Sequence, residues 1–142
     1  MKHMYFELDE FIRSDTAKKY GIDNTPTFAI VAHLDELVES ILDPLRAAYG
    51  KPITVTSGYR CNSLNKAVGG ADTSAHKIGY AADVVAENFT EFRQFAVSWF
   101  QATKPKFDQL LLEKDSSGKE WIHIGLYNRN GQQRGQIMIL NV

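Results

Sequence analysis

Apolar residues recur at helical spacing through Ile30, Leu34, Leu37, Val38, Ile41, Leu42 and Leu45. Such a stripe predicts a long amphipathic helix with one face in a core. Pro44 interrupts it, so a kink or break is expected near Leu42 or Asp43. Upstream, Leu8 to Tyr20 mixes Leu8, Phe11 and Ile12 with charged residues and predicts one or two short helices. The turn Gly21-Ile22-Asp23-Asn24-Thr25-Pro26 leads into the long helix, with Thr25 as N-cap and Pro26 at the first helical position. Gly50-Lys51-Pro52 ends it.

Beyond that point the period changes from helical to alternating. Ile53 to Thr56 reads as a strand ending at Ser57-Gly58. Tyr59 to Tyr80 reads as a loop-rich segment, and Ala81 to Val85 as a second strand. Thr90 to Ala102 places Phe92, Phe95, Ala96, Trp99 and Phe100 on one helical face. Phe107–Leu112 and Trp121–Tyr127 form a hairpin about the turn Ser116-Ser117-Gly118, and Gln136 to Leu140 adds an edge strand. Helices first, then strands separated by a single helix, predict an α+β fold: N-terminal helices packed on a small, mainly antiparallel sheet. We find no repeat, no low-complexity run and no linker, so residues 1–142 read as one domain.

Composition narrows the function classes. The chain has 142 residues, 44% of them hydrophobic, enough to build a core. Sixteen basic and seventeen acidic residues leave a net charge of −1 without a basic stripe, which gives nucleic acid no electrostatic footprint. Cys61 is the lone cysteine, so neither an intrachain disulfide nor a cysteine-based zinc knuckle can form. No apolar leader segment opens the chain, and no run approaches the roughly 18 apolar residues of a membrane span. A protein made in the cytoplasm, without a membrane partner, is therefore expected.

The chemistry concentrates in two stretches, Ser74-Ala75-His76-Lys77-Ile78-Gly79-Tyr80-Ala81-Ala82-Asp83 and Glu120-Trp121-Ile122-His123. They supply two imidazoles, a carboxylate and a further glutamate. Catalytic zinc takes three protein ligands of this kind and keeps one position open, with a base nearby. On the last hairpin strand, Ile122 and Ile124 are expected to face the core. Trp121, His123 and Gly125 share the other face. His3, at the terminus and expected to be disordered, and His33, on the polar side of the long helix, are not assigned to the site.

Ser57-Gly58-Tyr59-Arg60, Val68-Gly69-Gly70, Ser74-x-His76, Gly79-x-Ala81-x-Asp83 and Trp121-x-His123 together resemble the zinc D-Ala-D-Ala peptidases of the M15 type. The resemblance extends to Arg13–Ala17, Gly21–Pro26 and Pro44-Leu45-Arg46, and is closest to the short domains of phage and prophage lysis genes. It implies the fold shared by these peptidases and the Hedgehog signalling domain. It implies Zn2+ held by His76, Asp83 and His123, with Glu120 as general base and Arg60 beside the scissile carbonyl. Ser74 becomes a support or substrate contact, and Tyr59, Gln109 and Asp72 are weaker candidates for the cleft wall and the groups behind it. Residues three apart on a regular strand point to opposite faces, so Glu120 needs a turn or bulge to reach the metal. Otherwise Glu113 on the partner strand is the next base.

The implied substrate is a peptidoglycan stem peptide. The bond is either the terminal D-Ala-D-Ala amide of a carboxypeptidase or the L-Ala-D-Glu amide of an endolysin-like endopeptidase, released to the wall by phage lysis machinery. The alternative is a non-catalytic, zinc-containing cell-wall-binding or phage structural module on the same fold. The sequence leaves these open, and the oligomeric state with them.

Overall fold

A computed structural model describes residues 3–142. Its elements run α1 (Leu8–Ile12), α2 (Asp15–Tyr20), α3 (Phe28–Leu37), a π turn (Val38–Leu42), α4 (Asp43–Tyr49), β1 (Thr54–Ser57), α5 (Asn62–Ala67) and a 3-10 turn (Ala75–Ile78). Then follow β2 (Ala81–Val85), α6 (Phe89–Thr103), β3 (Gln109–Lys114), β4 (Glu120–Gly125) and β5 (Gln136–Asn141). The α+β expectation holds. Helices cover one face of a five-stranded sheet of order β1-β2-β4-β3-β5. All neighbours are antiparallel except β5, which lies parallel to β3 at the edge.

The long helix is where expectation and structure diverge in detail. Its N-cap is Thr27, whose hydroxyl accepts from the Ile30 amide. Thr25 instead donates its amide and hydroxyl to Asp23 Oδ1, closing a local turn that leaves Pro26 ahead of the helix. The irregularity expected near Leu42 or Asp43 is present, as a π turn over Val38–Leu42 between α3 and α4. Proline lacks the N–H and crowds the carbonyl four residues back. The strain is absorbed by the π turn just before it, where the Asp43 amide reaches the Val38 carbonyl. Val38, Ile41, Leu42 and Leu45 thereby stay on one side, all fully buried.

The segment Tyr59–Tyr80 is less loop-like than expected, holding both α5 and the 3-10 turn. Each is short, and α5 buries only Leu64 and Asn65, too few positions to give a helical period. On the sheet, Ala82, Val84, Leu110, Leu112, Ile122 and Ile124 point inward to Phe92, Ala96 and Phe100 of α6 and the α3–α4 stripe. Alternation sends Asp83, Leu111, Glu113, Trp121 and His123 to the opposite face. The helices thus make the core, and the outer face of the same strands is left for chemistry. Among the described residues, no helix is long and apolar enough to cross a membrane.

Candidate metal centre

Strand register brings two of the expected ligands together. β2 and β4 pair so that Asp83 lies directly opposite His123. The third, His76, comes from the 3-10 turn, which Ser74 caps by accepting from the His76 amide. His33 holds that turn from the helical side: its Nδ1 sits 2.6 Å from the Ile78 carbonyl, and its ring stacks on Tyr80 at 4.1 Å. So His33 is a clamp for the ligand turn rather than a bystander on a polar face. His3 is also engaged, with Nε2 2.8 Å from Asp35 Oδ1, instead of disordered.

Asp83 Oδ1 is 3.2 Å from His76 Nε2 and 3.0 Å from His123 Nδ1, and the three donor atoms lie within 4.8 Å of one another. Ligands at zinc's usual 2.0–2.2 Å in tetrahedral array would stand about 3.4 Å apart, so the two separations from Asp83 are of the size Zn2+ needs. The donor chemistry fits as well. His76 Nδ1 is 2.6 Å from the Gly58 carbonyl and donates to it, which fixes the tautomer and leaves the Nε2 lone pair facing a carboxylate oxygen. The 3.2 Å gap between that nitrogen and Asp83 Oδ1 is one that a cation, either a proton or a metal ion, would bridge. Side-chain exposures of 3%, 14% and 12% for His76, Asp83 and His123 put the set at the floor of a cleft rather than on the surface. Burial pushes the Asp83 carboxyl up, but the two imidazoles outweigh it and hold it far below the usual carboxylate range. Burial likewise lowers the His76 imidazole, favouring the neutral, metal-binding form.

Gly58 makes this geometry possible. A Cβ there would lie 2.5 Å from the Phe11 carbonyl oxygen and 2.6 Å from its Cα, both backbone. Gly58→Ala should therefore push the strand end off α1 and move the carbonyl that orients His76. We expect a loss of about 1–3 kcal/mol in urea unfolding of the metal-free protein. Zinc affinity should fall about 10–100-fold in chelator competition. Wild-type values in both would show that the close approach is not needed.

Around the set, the cleft takes in Arg60, Ser74, Glu113, Trp121 and Gln109. Arg60 is held by three neutral oxygens: Asn65 Oδ1 on Nε (3.1 Å), Ser57 Oγ on Nη1 (3.2 Å) and Ser74 Oγ on Nη2 (3.4 Å). Its charge is therefore fixed in place without an ion-pair partner. Glu113 Oε1 lies 4.0 Å from His123 Nδ1, since β3–β4 register sets Glu113 opposite Trp121, diagonal to the ligand. Burial, then the Asp83 charge, push the Glu113 carboxyl up.

Glu120 is placed elsewhere. It is in the regular ladder, paired with Lys114 with no bulge, on the helix-side face, and its carboxylate lies 3.8 Å from Arg93 Nη1 of α6. Tyr59 lines a separate hollow with Arg13 and Ser14. Asp72, exposed outside the cleft, offers only its carbonyl, to Lys77. Sequence reasoning quoted Ser57 without a role and missed Asn65, which together carry Arg60, and it missed the Asp108–Arg134 pair in the cleft wall. Neither has a local pattern; Asn65 announces itself only through Gly70, where a Cβ would meet its side chain.

A His–Asp–His set at the floor of a cleft, with an arginine and a largely buried carboxylate beside it, is a donor set that could hold a metal ion. The family profile of peptidase M15 matches residues 4–125, and the chain belongs to that family. Among curated proteins, the zinc D-Ala-D-Ala carboxypeptidase of Streptomyces albus G is 50% identical over 46 residues, 32% of this chain and 18% of that protein. The match thus spans well under two thirds of the relative's length.

Proposed function

We propose that this protein is a zinc-dependent peptidase that hydrolyses an amide bond in the stem peptides of bacterial peptidoglycan, with Glu113 as its general base. The observation that carries the reading is the common face of β2, β3 and β4. It sets the Asp83 and His123 donors, the Glu113 carboxylate and, through the adjoining turn, His76 at one cleft.

Zn2+ held by His76, Asp83 and His123 would polarise the scissile carbonyl and acidify a water. The rest is the work of this chain's side chains. Glu113, raised by burial, is placed to take a proton from the attacking water as the new C–O bond forms. As the C–N bond breaks it returns that proton to the leaving amine. Arg60, fixed by Ser57, Asn65 and Ser74, faces the negative charge that develops on the carbonyl oxygen. Ser74 joins the two halves, accepting from both Arg60 and the His76 amide. Gln109 lines the cleft with its amide bonded to Gln136, a wall for the substrate rather than a reacting group.

Mass spectrometry of defined muropeptides incubated with zinc-loaded protein, beside a chelated control, tests this. We expect zinc-dependent cleavage. Loss of one terminal alanine would define a carboxypeptidase; a cut between L-Ala and D-Glu would define an endopeptidase of the endolysin type. Intact muropeptides beside a protein that holds zinc would overturn the reading in favour of a binding module.

A further inference from the structure

Arg60 is one of two guanidinium groups lining the cleft of about 680 Å³; the other is Arg134, on the loop between β4 and β5. That loop lies beyond residues 4–125, the part of the chain the family profile covers. Arg134 is bound side-on to Asp108, Nε to Oδ1 and Nη2 to Oδ2, each at 2.7 Å. The Arg134 amide also donates to Asp108 Oδ1 at 3.1 Å. The flanking backbone is pinned too: Gly135 N donates to the Phe107 carbonyl and Gln136 N to that of Asp108.

The pair is asymmetric. The Asp108 side chain is 3% exposed and that of Arg134 is 41% exposed. Among the described residues, Nη1 of Arg134 has no protein partner, whereas all three nitrogens of Arg60 are occupied. A half-buried ion pair is a poor device for mere stability, since apolar replacements often serve as well. What it does provide is a guanidinium held in place at the cleft wall by two bonds, with Nη1 left over for a ligand. Arginine held in this way loses little freedom on binding a carboxylate.

Its position relative to the ligands is set by the sheet. The Asp108 amide donates to the carbonyl of Gly125, two residues from His123 on β4, or about 7 Å along the strand. Both candidate bonds carry the matching feature. In D-Ala-D-Ala, and in L-Ala-D-Glu where glutamate continues through its γ-carboxyl, a free α-carboxylate sits one carbon from the scissile nitrogen. We propose that Arg134 is a specificity-determining residue that anchors this α-carboxylate on the leaving side of the bond. It takes no part in bond making; the carboxylate is unchanged by the reaction. This inference rests on the peptidase reading.

The test uses reduced-amide analogues, with CH2–NH in place of the scissile CO–NH, of an acyl-D-Ala-D-Ala peptide and of an L-Ala-γ-D-Glu peptide. Each is made as the free acid and as the α-amide. Calorimetry on zinc-loaded protein should show the free acid of at least one pair binding about 10–100-fold tighter than its amide. The preferred pair identifies the bond. Arg134→Ala should erase the preference, and Arg134→Lys should keep part of it. Because Arg134→Ala strands Asp108 without its cation, the double variant Asp108→Asn/Arg134→Gln, which keeps a neutral bonded pair, is run beside it and should also lose the preference.

Equal binding of acid and amide by wild type, or a preference that survives both the alanine and the double variant, would overturn the proposal. So would failure of every analogue to bind. Hydrolysis of the parent peptides separates the two readings. Cleavage without Arg134-dependent selectivity sinks this inference alone. Arg134-dependent selectivity without cleavage keeps the anchor and sinks the peptidase.

Discussion

Glu113→Gln is expected to lower turnover of a muropeptide substrate about 10²–10⁴-fold while zinc content stays at the wild-type level. The amide keeps the shape of the carboxylate and its place on the sheet but takes no proton. Glu113 is the carboxylate closest to His123 after Asp83 among the described residues, and it shares the face and cleft of the proposed metal ligands. Glu120→Gln is the contrast. Its carboxylate meets Arg93 on the other side of the sheet, an exposed pair worth little, so turnover should stay within about twofold and stability within about 1 kcal/mol. Rates measured under saturating zinc, with metal quantified in each variant, decide the matter. A dead Glu120→Gln beside an active Glu113→Gln would return the base to β4 and require that strand to rearrange when substrate binds.

The same pair of glutamates shows what sequence can carry. The alternation on β4 is local, so the opposition of Glu120 and His123 is legible from four consecutive residues. That Glu113 rather than another acid takes its place depends on how β3 registers against β4. Register is a property of the whole hairpin, fixed by the turn at 115–119, where Asp115 Oδ1 accepts from Ser117 and Lys119. The helical stripe from Ile30 to Leu45 was legible for a like reason: a period repeated over four turns outweighs one proline. Its π turn was not, because relief of the Pro44 clash has no signature of its own.

The ligands illustrate the boundary from the other side. His76 and Asp83 are seven residues apart and His123 forty further on, yet their residue types and small neighbours mark them. Their supports are invisible in sequence because each is made by a distant backbone group: the Gly58 carbonyl for His76, the Ile78 carbonyl for His33. Arg134 is the extreme case. An arginine in a polar loop reads as solvated surface until the fold sets it against Asp108.

Removing zinc is expected to soften the protein without unfolding it. The buried apolar cluster lies between the helices and the inner face of the sheet, and none of the three ligands belongs to it. The metal-free chain therefore keeps its core. What it loses is the binding free energy, which at zinc about 1,000-fold above Kd amounts to about 4 kcal/mol. For a chain of this size that corresponds to a fall in Tm on the order of 10 °C. His123→Ala should abolish the zinc-dependent shift and stoichiometric zinc, leaving a Tm near that of the chelated wild type. His76→Ala should go lower still, because it also removes the bond to the Gly58 carbonyl that ties the ligand turn to the end of β1. Differential scanning calorimetry with and without chelator, paired with metal analysis, measures all three. A wild-type Tm indifferent to chelation would mean that the His–Asp–His set does not take zinc at useful affinity. A His123→Ala protein still holding one zinc per chain would mean that the ligand set is drawn from other residues.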